Sequence, residues 1–412
     1  MTTALLPALA PGARLLLYAH DTYGLGHLRR SLAIAGHLAH ALPGLSTLLV
    51  TGSPVAHHFA LPPDTDYVKL PSVVKMGDEQ YRARDLALTP ERVTNLRAAI
   101  IREAGAHFEP DVVLVDHAPL GMKGELLPAL RSLRCERPAT RLMLGLRDVL
   151  DEPQKVRQQW SEQGVYAAIE ELYDRVLVYG QADLFDPVQA YAFPATLAAR
   201  THFCGYIQRK DSVRSPADLR AELDLSEDPF VLVTTGGGGD GVALEETFLA
   251  ALDHLDRRRA LQAVMITGPL MAAAEHARLQ ERAQGRPVRL LPFHPDVPGL
   301  MRASALVVAM GGYNTLCEVV AAGRPAIIVP RAHPRLEQHI RAEAFAARGL
   351  VEMVPADEAT PLRLAETVER VLEQPWPPAT RGHWDGAGLS RIAAHIADGL
   401  RHHDHMYQRA TA

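Results

Sequence analysis

A histidine follows a glycine-containing turn directly after the first apolar run of the chain, Arg14–Ala19. Gly24 and Gly26 would let the backbone approach a phosphate or an acceptor at the start of a helix, whose positive end favours an anion. The apolar spacing of Leu28–Leu38 predicts that helix. Imidazole titrates near neutral pH, so His27 could accept a proton from a hydroxyl nucleophile. A histidine that only caps the helix or packs there is the alternative, and spacing does not decide between the two.

Four consecutive glycines occupy a second predicted strand-to-helix turn, in the segment Thr234–Gly241. Their backbone N–H groups could approach a diphosphate closely, which makes Gly236, Gly237 and Gly238 candidate donor-binding residues. The segment lacks the Lys-Ser/Thr of a P-loop, so the pattern does not indicate ATP hydrolysis. A flexible loop without a ligand is the alternative interpretation.

The most informative segment is MGGYNTLCEVVAAGRPAIIVP, in which Gly311 and Gly312 end a predicted strand. Asn314 or Thr315 is predicted to cap the helix that follows. The N–H groups and positive end of that helix would stabilise a β-phosphate, including the charge that it gains as a leaving group. Glu318 has two interpretations: it completes a capping box with Thr315, or its carboxylate holds the two vicinal hydroxyls of a ribose. The spacing leaves both open.

Short runs rich in Val, Ile and Leu alternate with amphipathic stretches, which is the pattern of strand–helix–strand units with buried parallel sheets. Each half of the chain contains five candidate strands: Arg14–Ala19, Leu45–Thr51, Val112–Val115, Arg141–Leu146 and Arg175–Tyr179, then Phe230–Thr234, Gln262–Thr267, Val288–Leu291, Ala305–Ala309 and Ala326–Val329. A polar segment between the halves predicts a domain boundary. We therefore expect an α/β fold with two domains, residues 1–208 and 209–380, and a closing segment, residues 381–412.

Polar side chains follow several of these strands, at the edge of the sheet where open α/β folds bind their ligands. In the first half those positions carry Asp116 and Arg147. Asp116 could orient His27, since it ends a neighbouring strand. Arg147 could offset phosphate charge or recognise an anionic acceptor, and an ion pair with a neighbouring aspartate is the competing interpretation. In the second half the pair Glu337–Gln338 opens a predicted helix and could bind sugar hydroxyls.

The composition excludes some classes of partner and leaves others open. A net charge of -5 and a pI near 6.4 give no basis for binding nucleic acid, which calls for a basic face. Three widely spaced cysteines form neither a disulfide framework nor a zinc motif, as expected for a cytoplasmic protein. The N-terminus does not resemble a signal peptide, and no uninterrupted apolar run approaches the ~18 residues of a spanning helix. Peripheral contact with a membrane stays open.

Taken together, these segments resemble the GT-B glycosyltransferases. The similarity is greatest to the family 28 group, which contains the bacterial N-acetylglucosaminyltransferase of the lipid-linked peptidoglycan precursor. In the second half it rests on LLPFHPDVPGLMRASALVV, GGYNTLCEVVAAGRPAIIVP and HPRLEQHIRAEAFAARG, and in the first half on GLGHLRRSLAIAGHL and PDVVLVD. The resemblance implies two Rossmann-like domains that face a central cleft, with the final helix returning to the N-terminal domain. It also implies a donor that is a nucleoside-diphosphate sugar, with UDP favoured.

The resemblance assigns roles to the candidate residues and predicts an inverting transfer to an unidentified hydroxyl acceptor, which the family would allow to be lipid-linked. The resemblance makes His27 the N-domain histidine near the reaction centre, and our mechanistic hypothesis makes it the base. The nucleotide-sugar would be a co-substrate, with no metal and no other cofactor. The only DxD-like string, Asp64–Asp66, lies in a proline-flanked loop away from the donor half. The donor-side residues implied are Gly312, Asn314 and Thr315 at the diphosphate, Glu318 at the ribose, Phe293 and His294 at the base, and Glu337 with Gln338 at the sugar.

The sequence departs from the family in two places. Met310 precedes the paired glycines, where plant-type relatives carry a histidine, and Asp116–Pro119 replaces a glycine-rich loop of the peptidoglycan enzyme. The acceptor is therefore expected to differ. Two other functions stay open. GLGHLRRSLAIA also resembles nucleotide-sugar hydrolases of the pseudaminic-acid type, with Arg30 as their arginine, and the chain could bind nucleotide-sugars or lipids without catalysis.

Overall fold

The structure is a computed structural model that describes residues 12–20, 26–77, 80–209, 214–255, 260–376 and 384–411. Gly24 lies outside these ranges. The chain divides into two compact units. The first comprises Met1–Ile207 and Ala387–Ala412, and the second comprises Gln208–Gly386. Each unit has its own sheet and its own apolar core.

The first unit is built on a seven-stranded parallel sheet with the order β3-β2-β1-β6-β7-β8-β9. Its strands are β1 Arg14–Ala19, β2 Ser46–Thr51, β3 Thr65–Lys69, β6 Val112–Asp116, β7 Arg141–Arg147, β8 Arg175–Tyr179 and β9 Thr201–Phe203. A separate antiparallel hairpin is formed by β4 Val73–Gly77 and β5 Gln80–Ala83. The near-continuous runs of Val and Leu in the central strands suit a sheet that is covered on both faces.

The helices of the first unit follow its strands. They are α1 Gly26–Ala41, α2 Pro90–Phe108, α3 Leu127–Glu136, α4 Pro153–Glu162, α5 Val165–Leu172, α6 Pro187–Ala190, α7 Ala195–Ala198 and α15 Gly388–Thr411, with 3-10 turns at Ala56–His58 and Met122–Gly124. The closing helix α15 packs against α1 and against the strands β6 and β7.

The second unit repeats the plan with a six-stranded parallel sheet in the order β12-β11-β10-β13-β14-β15. Its strands are β10 Phe230–Thr234, β11 Gln262–Ile266, β12 Val288–Leu291, β13 Leu306–Ala309, β14 Ala326–Ile328 and β15 Glu352–Met353. Its helices are α8 Pro216–Glu222, α9 Val242–Ala251, α10 Ala273–Ala283, α11 Val297–Ala303, α12 Tyr313–Ala322, α13 Glu337–Ala347 and α14 Pro361–Glu373. The predicted α/β fold with two Rossmann-like domains is confirmed.

The order of the strands brings the candidate residues to one edge of each sheet. In the first unit β1 pairs with β6 so that Ala19 lies beside Asp116, the last residue of its strand. The turn after β1 and the end of β6 therefore meet, as neighbouring parallel strands require. In the second unit β10 lies between β11 and β13, so the segments that follow these three strands are neighbours. Among the helices described, none is long and apolar enough to cross a membrane.

A buried ion pair ties α2 to the first sheet. Arg97 donates from Nε and Nη2 to the carboxylate of Glu125, at 2.6 and 2.7 Å, and both side chains are fully buried. Tyr18 on β1 donates its hydroxyl hydrogen to the same carboxylate, at 2.5 Å. A buried charge that loses its partner keeps the whole cost of its removal from water, so this pair makes the unit sensitive to substitution.

We expect Arg97→Met to lower the free energy of unfolding by about 3–5 kcal/mol, because Glu125 would stay buried without its counter-charge. The matched control is Arg102→Met on the same helix. Arg102 pairs with Glu103 at 2.7 Å, but both side chains are about half exposed, so the loss should stay below about 1 kcal/mol. Urea unfolding followed by circular dichroism measures both values, and equal losses would contradict the prediction.

Candidate active site

His27, Asp116 and Arg30 form one hydrogen-bonded cluster at the carboxyl edge of the first sheet. The Nδ1 atom of His27 lies 2.6 Å from Oδ2 of Asp116. Arg30 donates from Nε to Oδ1 and from Nη2 to Oδ2 of the same carboxylate, at 2.8 and 2.7 Å. Arg30 comes three residues after His27 on α1, which puts both side chains on one face of the helix. The carboxylate thus holds the imidazole and the guanidinium together.

The cluster fixes the state of the imidazole. An ionised carboxylate can only accept, so the 2.6 Å contact with Asp116 favours the tautomer with hydrogen on Nδ1 and the lone pair on Nε2, whereas Nη2 of Arg30, 2.9 Å from the same Nδ1 atom, acts against it as a second donor. Burial lowers the pKa of His27 to about 4, although the hydrogen bond to Asp116 acts in the opposite direction. Burial would raise the pKa of Asp116, but Arg30 and His27 hold it well below its usual range. At neutral pH the site therefore offers a neutral imidazole with a free basic nitrogen.

Further basic groups surround this cluster. His117 has a left-handed backbone, with φ of 69°, and its ring centroid lies 5.2 Å from that of His27. Arg147 donates from Nη2 to Nε2 of His117 at 3.1 Å. Gly26 is the first residue of α1. Arg147, predicted to recognise an anion, therefore contacts a histidine that lies beside His27.

In the second unit the two glycine segments meet. A Cβ atom added to Gly236 would lie 3.8 Å from Oγ1 of Thr315, the third residue of α12. Gly238 and Gly268 approach each other so closely that neither could carry a side chain. A Cβ on Gly238 would lie 2.2 Å from the carbonyl oxygen of Thr267, and one on Gly268 would lie 2.5 Å from the backbone of Gly237. The glycine loop is therefore packed against the segment Thr267–Gly268, which follows β11.

The predicted cap of α12 is wrong. The helix begins at Tyr313, its N-cap is Gly312, and no side chain makes a capping hydrogen bond there. Tyr313, the first residue of the helix, is buried in the core, so the helix begins before the start that a cap at Asn314 or Thr315 would give. The capping-box interpretation of Glu318 falls for the same reason, because Thr315 lies inside the helix.

Glu318 is instead paired with an arginine. Its Oε1 atom lies 2.6 Å from Nη2 of Arg209, and only 8% of its side chain is exposed. A small hollow beside the carboxylate is lined by Gln208, Arg209, Pro298, Arg302, Ala321 and Ala322. No local pattern indicated Arg209, which precedes Glu318 by more than a hundred residues.

A second arginine connects the glycine loop to the start of α13. Arg331 contacts Asp240 through Nε and Glu337 through Nη2, each at 2.8 Å. A Cβ on Gly311 would lie 2.7 Å from the carbonyl oxygen of Gln338, so the paired glycines touch the same helix start. Sequence reasoning assigned no role to Arg331 or Asp240, although Arg331 follows a strand and Asp240 closes the glycine run.

The two residues expected at the base behave differently. Phe293 is 46% exposed, as a stacking surface for a base requires. His294 is buried, and its Nδ1 atom accepts a hydrogen bond from the backbone N–H of Asp296 at 3.1 Å. Its Nε2 atom lies 3.6 Å from Glu222. His294 therefore supports the start of α11 from within the unit.

The sequence of the second unit decides the family of this domain. Residues 230–395 match the family model described as Glycosyltransferase family 28 C-terminal domain. The chain carries a family 28 domain. The predicted resemblance to the family 28 group of GT-B glycosyltransferases is thereby confirmed.

Individual proteins agree with the domain match. The UDP-N-acetylglucosamine--N-acetylmuramyl-(pentapeptide) pyrophosphoryl-undecaprenol N-acetylglucosamine transferase of Brucella abortus (strain S19) is 28% identical over 183 residues, 43% of this chain and 47% of the relative. The alignment thus spans about half the length of that relative.

Solved structures show the same fold across nearly the whole chain. MurG of Acinetobacter baumannii superposes with a TM-score of 0.58 at 16% identity, over 94% of this chain and 99% of that one. A UDP-glucosyltransferase of Polygonum tinctorium, described as capable of glucosylating indoxyl, gives 0.61 at 16% identity, over 97% and 98%. These similarities confirm the GT-B fold.

Proposed function

We propose that the chain is a glycosyltransferase that moves a sugar from a nucleoside-diphosphate donor, UDP in the first instance, to a hydroxyl acceptor with inversion of configuration. One observation carries the proposal. The glycine loop after β10 and the start of α12, which no side chain caps, converge at Thr315 within a family 28 domain. Backbone N–H groups and the positive end of a helix are the groups that bind and stabilise a diphosphate.

The donor is assigned to the second unit. Gly236, Gly237, Gly238, Gly311, Gly312, Asn314 and Thr315 would bind the diphosphate. Glu318 would accept hydrogen bonds from the ribose hydroxyls, because a carboxylate matches a vicinal diol. Phe293 would cover one face of the base, which His294 would help to frame. Glu337 and Gln338 would contact the sugar, with Arg331 orienting Glu337 through its ion pair.

The chemistry needs one base and one stabilised leaving group. His27 would take the proton of the acceptor hydroxyl on Nε2 as the acceptor oxygen bonds to the anomeric carbon. The bond from that carbon to the β-phosphate oxygen breaks in the same displacement, and the nucleoside diphosphate leaves as an anion. Asp116 would stabilise the imidazolium that forms. These steps need no metal ion, and no other cofactor is proposed.

The acceptor is proposed to be lipid-linked. The Brucella abortus relative is named for a pyrophosphoryl-undecaprenol acceptor, and such a substrate would bring the protein to the inner face of a membrane from the cytoplasm. His117 and Arg147 would face the charge of such an acceptor. The segment Asp116–Pro119 differs from the family pattern, so the acceptor group itself is not carried over.

The alternatives differ in what accepts the sugar. A hydrolase would pass it to water, and a binding protein would not transfer it at all. The domain match and the transferases among the similar proteins favour transfer. Incubation of a confirmed donor with and without candidate acceptors separates the three, because only a transferase consumes the donor in an acceptor-dependent way.

The donor site is tested by thermal stability of the purified protein with UDP, dTDP, GDP and ADP. A ligand at 100 times its Kd adds about 2.7 kcal/mol to the stability of the bound unit, which raises the Tm of a unit of this size by about 5–11 °C. We expect UDP to give this shift and Glu318→Ala to lose most of it, because alanine cannot accept hydrogen bonds from the ribose hydroxyls. Glu366→Ala, an exposed change on α14, is the matched control and should keep the shift. No shift with any nucleotide would overturn the donor site.

A further inference from the structure

A fully buried carboxyl group lies behind the glycine loop. Glu245 is on the first turn of α9 and has no exposed surface. Its Oε1 atom lies 2.9 Å from Oγ1 of Thr235. Its Oε2 atom is buried with no hydrogen-bond partner, and no cation pairs with the group among the residues that the structure describes. Neither the predicted site nor the proposed mechanism uses this residue.

The hydrogen bonds around Thr235 favour the protonated form of Glu245. The hydroxyl of Thr235 lies 2.9 Å from Glu245 and 3.2 Å from the carbonyl oxygen of Thr267. A carbonyl oxygen only accepts, and a hydroxyl has one hydrogen to donate. Both contacts are satisfied when Glu245 donates to Thr235 and Thr235 donates to Thr267. An ionised Glu245 would instead accept the hydrogen bond from Thr235, and its negative charge would be buried without a counter-ion.

This short chain of hydrogen bonds holds both ends of the glycine loop. Thr235 directly precedes Gly236, and a Cβ atom added to Gly241 would lie 2.2 Å from the Cβ atom of Thr235. The carbonyl oxygen of Thr267 is also the atom against which Gly238 packs. The carboxyl of Glu245 is therefore connected through one hydroxyl to the backbone that would receive a diphosphate.

The charged groups on the packed elements favour the protonated form. Glu275 on α10 adds a negative charge, whereas Glu246 on α9 is already paired with Arg278 and Arg282 of α10. Helix α14 presents apolar residues to α9, namely Leu364, Ala365 and Val368. Burial raises the pKa of Glu245 to about 8, although the hydrogen bond from Thr235 acts in the opposite direction. The dipole of α9 favours ionisation, but even in a buried position it is worth at most about 2 kcal/mol, or about 1.5 pH units.

We propose that Glu245 is a positioning residue for the diphosphate: protonated, it holds the glycine loop in its binding form, and its ionisation weakens donor binding. The inference rests on the proposed donor site. Ionisation would turn the hydroxyl hydrogen of Thr235 from the carbonyl oxygen of Thr267 to Glu245 and place a negative charge directly behind the phosphates. By linkage, a bound diphosphate must raise the proton affinity of Glu245 by the same factor.

The test measures the affinity for UDP by calorimetry between pH 7 and pH 9 for the wild type, Glu245→Gln and the control Glu246→Gln. Glutamine donates to Thr235 at every pH, so its affinity should depend on pH only through UDP itself. Beyond that shared dependence, we expect the wild type and the control to lose affinity by about tenfold by pH 9, since binding then requires the uptake of a proton. Equal pH dependence in the wild type and Glu245→Gln would overturn the inference.

A second readout needs no nucleotide. A carboxyl group with a raised pKa in the folded state makes stability fall as pH rises from its unfolded value towards about 8. The difference in melting temperature between Glu245→Gln and the wild type should therefore increase in favour of the variant from pH 5 to pH 8. The difference between Glu246→Gln and the wild type should not change in this way. A constant difference would overturn the inference. Failure of every variant to bind UDP at pH 7 would overturn the proposed function instead, so the two failures are distinguishable.

Discussion

Replacement of His27 by alanine is expected to lower the turnover number by about 10²–10⁴-fold and to leave the affinity for the donor within about twofold. The loss follows from the cluster in the first unit. Asp116 accepts a hydrogen bond from Nδ1, so Nε2 is the nitrogen that can accept the proton of a hydroxyl. The proposed donor residues belong to the second unit, so the loss is expected in the chemical step and not in donor binding. An effect on turnover without an effect on donor binding is therefore the signature of a base.

The pH profile adds a second signature. Because the pKa of His27 is lowered to about 4, the imidazole stays neutral well below the usual value of 6.5. The wild-type rate at saturating donor should accordingly stay level between pH 8 and about pH 5, rather than fall near pH 6.5. His40→Ala removes an exposed histidine from the same helix and should not change the rate. Near-normal turnover in His27→Ala would exclude the histidine as the base.

The sequence predicted the central strands well because they are buried on both faces. Phe230–Thr234 and Arg14–Ala19 are strands with the expected bounds, and they lie in the middle of their sheets. The strands that were not predicted lie at edges or outside the main sheets. Thr65–Lys69 is an edge strand in which Asp66 and Lys69 are exposed, and Glu352–Met353 is only two residues long. Such segments carry too little apolar periodicity to be seen.

The site likewise contains residues that the sequence could predict and residues that it could not. His27 and Asp116 could be brought together from the sequence, because parallel strands put the ends of β1 and β6 side by side. The residues that pair with the proposed site residues and set their charge could not be predicted from the sequence. Arg30 was noted only for a resemblance to hydrolases, and its double contact with Asp116 depends on how α1 crosses the sheet. Arg209 reaches Glu318 through tertiary packing that no local pattern records.

Asp116→Asn is expected to lower turnover by about 10²–10⁴-fold while the donor still binds, by the logic of histidine–carboxylate pairs in hydrolytic enzymes. The amide has one accepting atom, and the two donations from Arg30 compete for it. The NH₂ group would then face Nδ1 of His27 as a donor. That contact favours the tautomer with hydrogen on Nε2, which cannot accept a proton from the acceptor. Steady-state kinetics and donor titration on the same preparation measure the two quantities.

A loss of stability would accompany this change, because Arg30 is buried and would lose its counter-charge. The control is Asp111→Asn, at the other end of the same strand, where the carboxylate accepts a hydrogen bond from the backbone N–H of Arg14 at 2.8 Å. It should destabilise the unit without an effect on turnover at a temperature below both transitions. The ¹⁵N chemical shifts of His27 report the tautomer directly. Reduced turnover with an unchanged tautomer would mean that Asp116 acts through its charge, since only the orienting role requires the hydrogen to move from Nδ1 to Nε2.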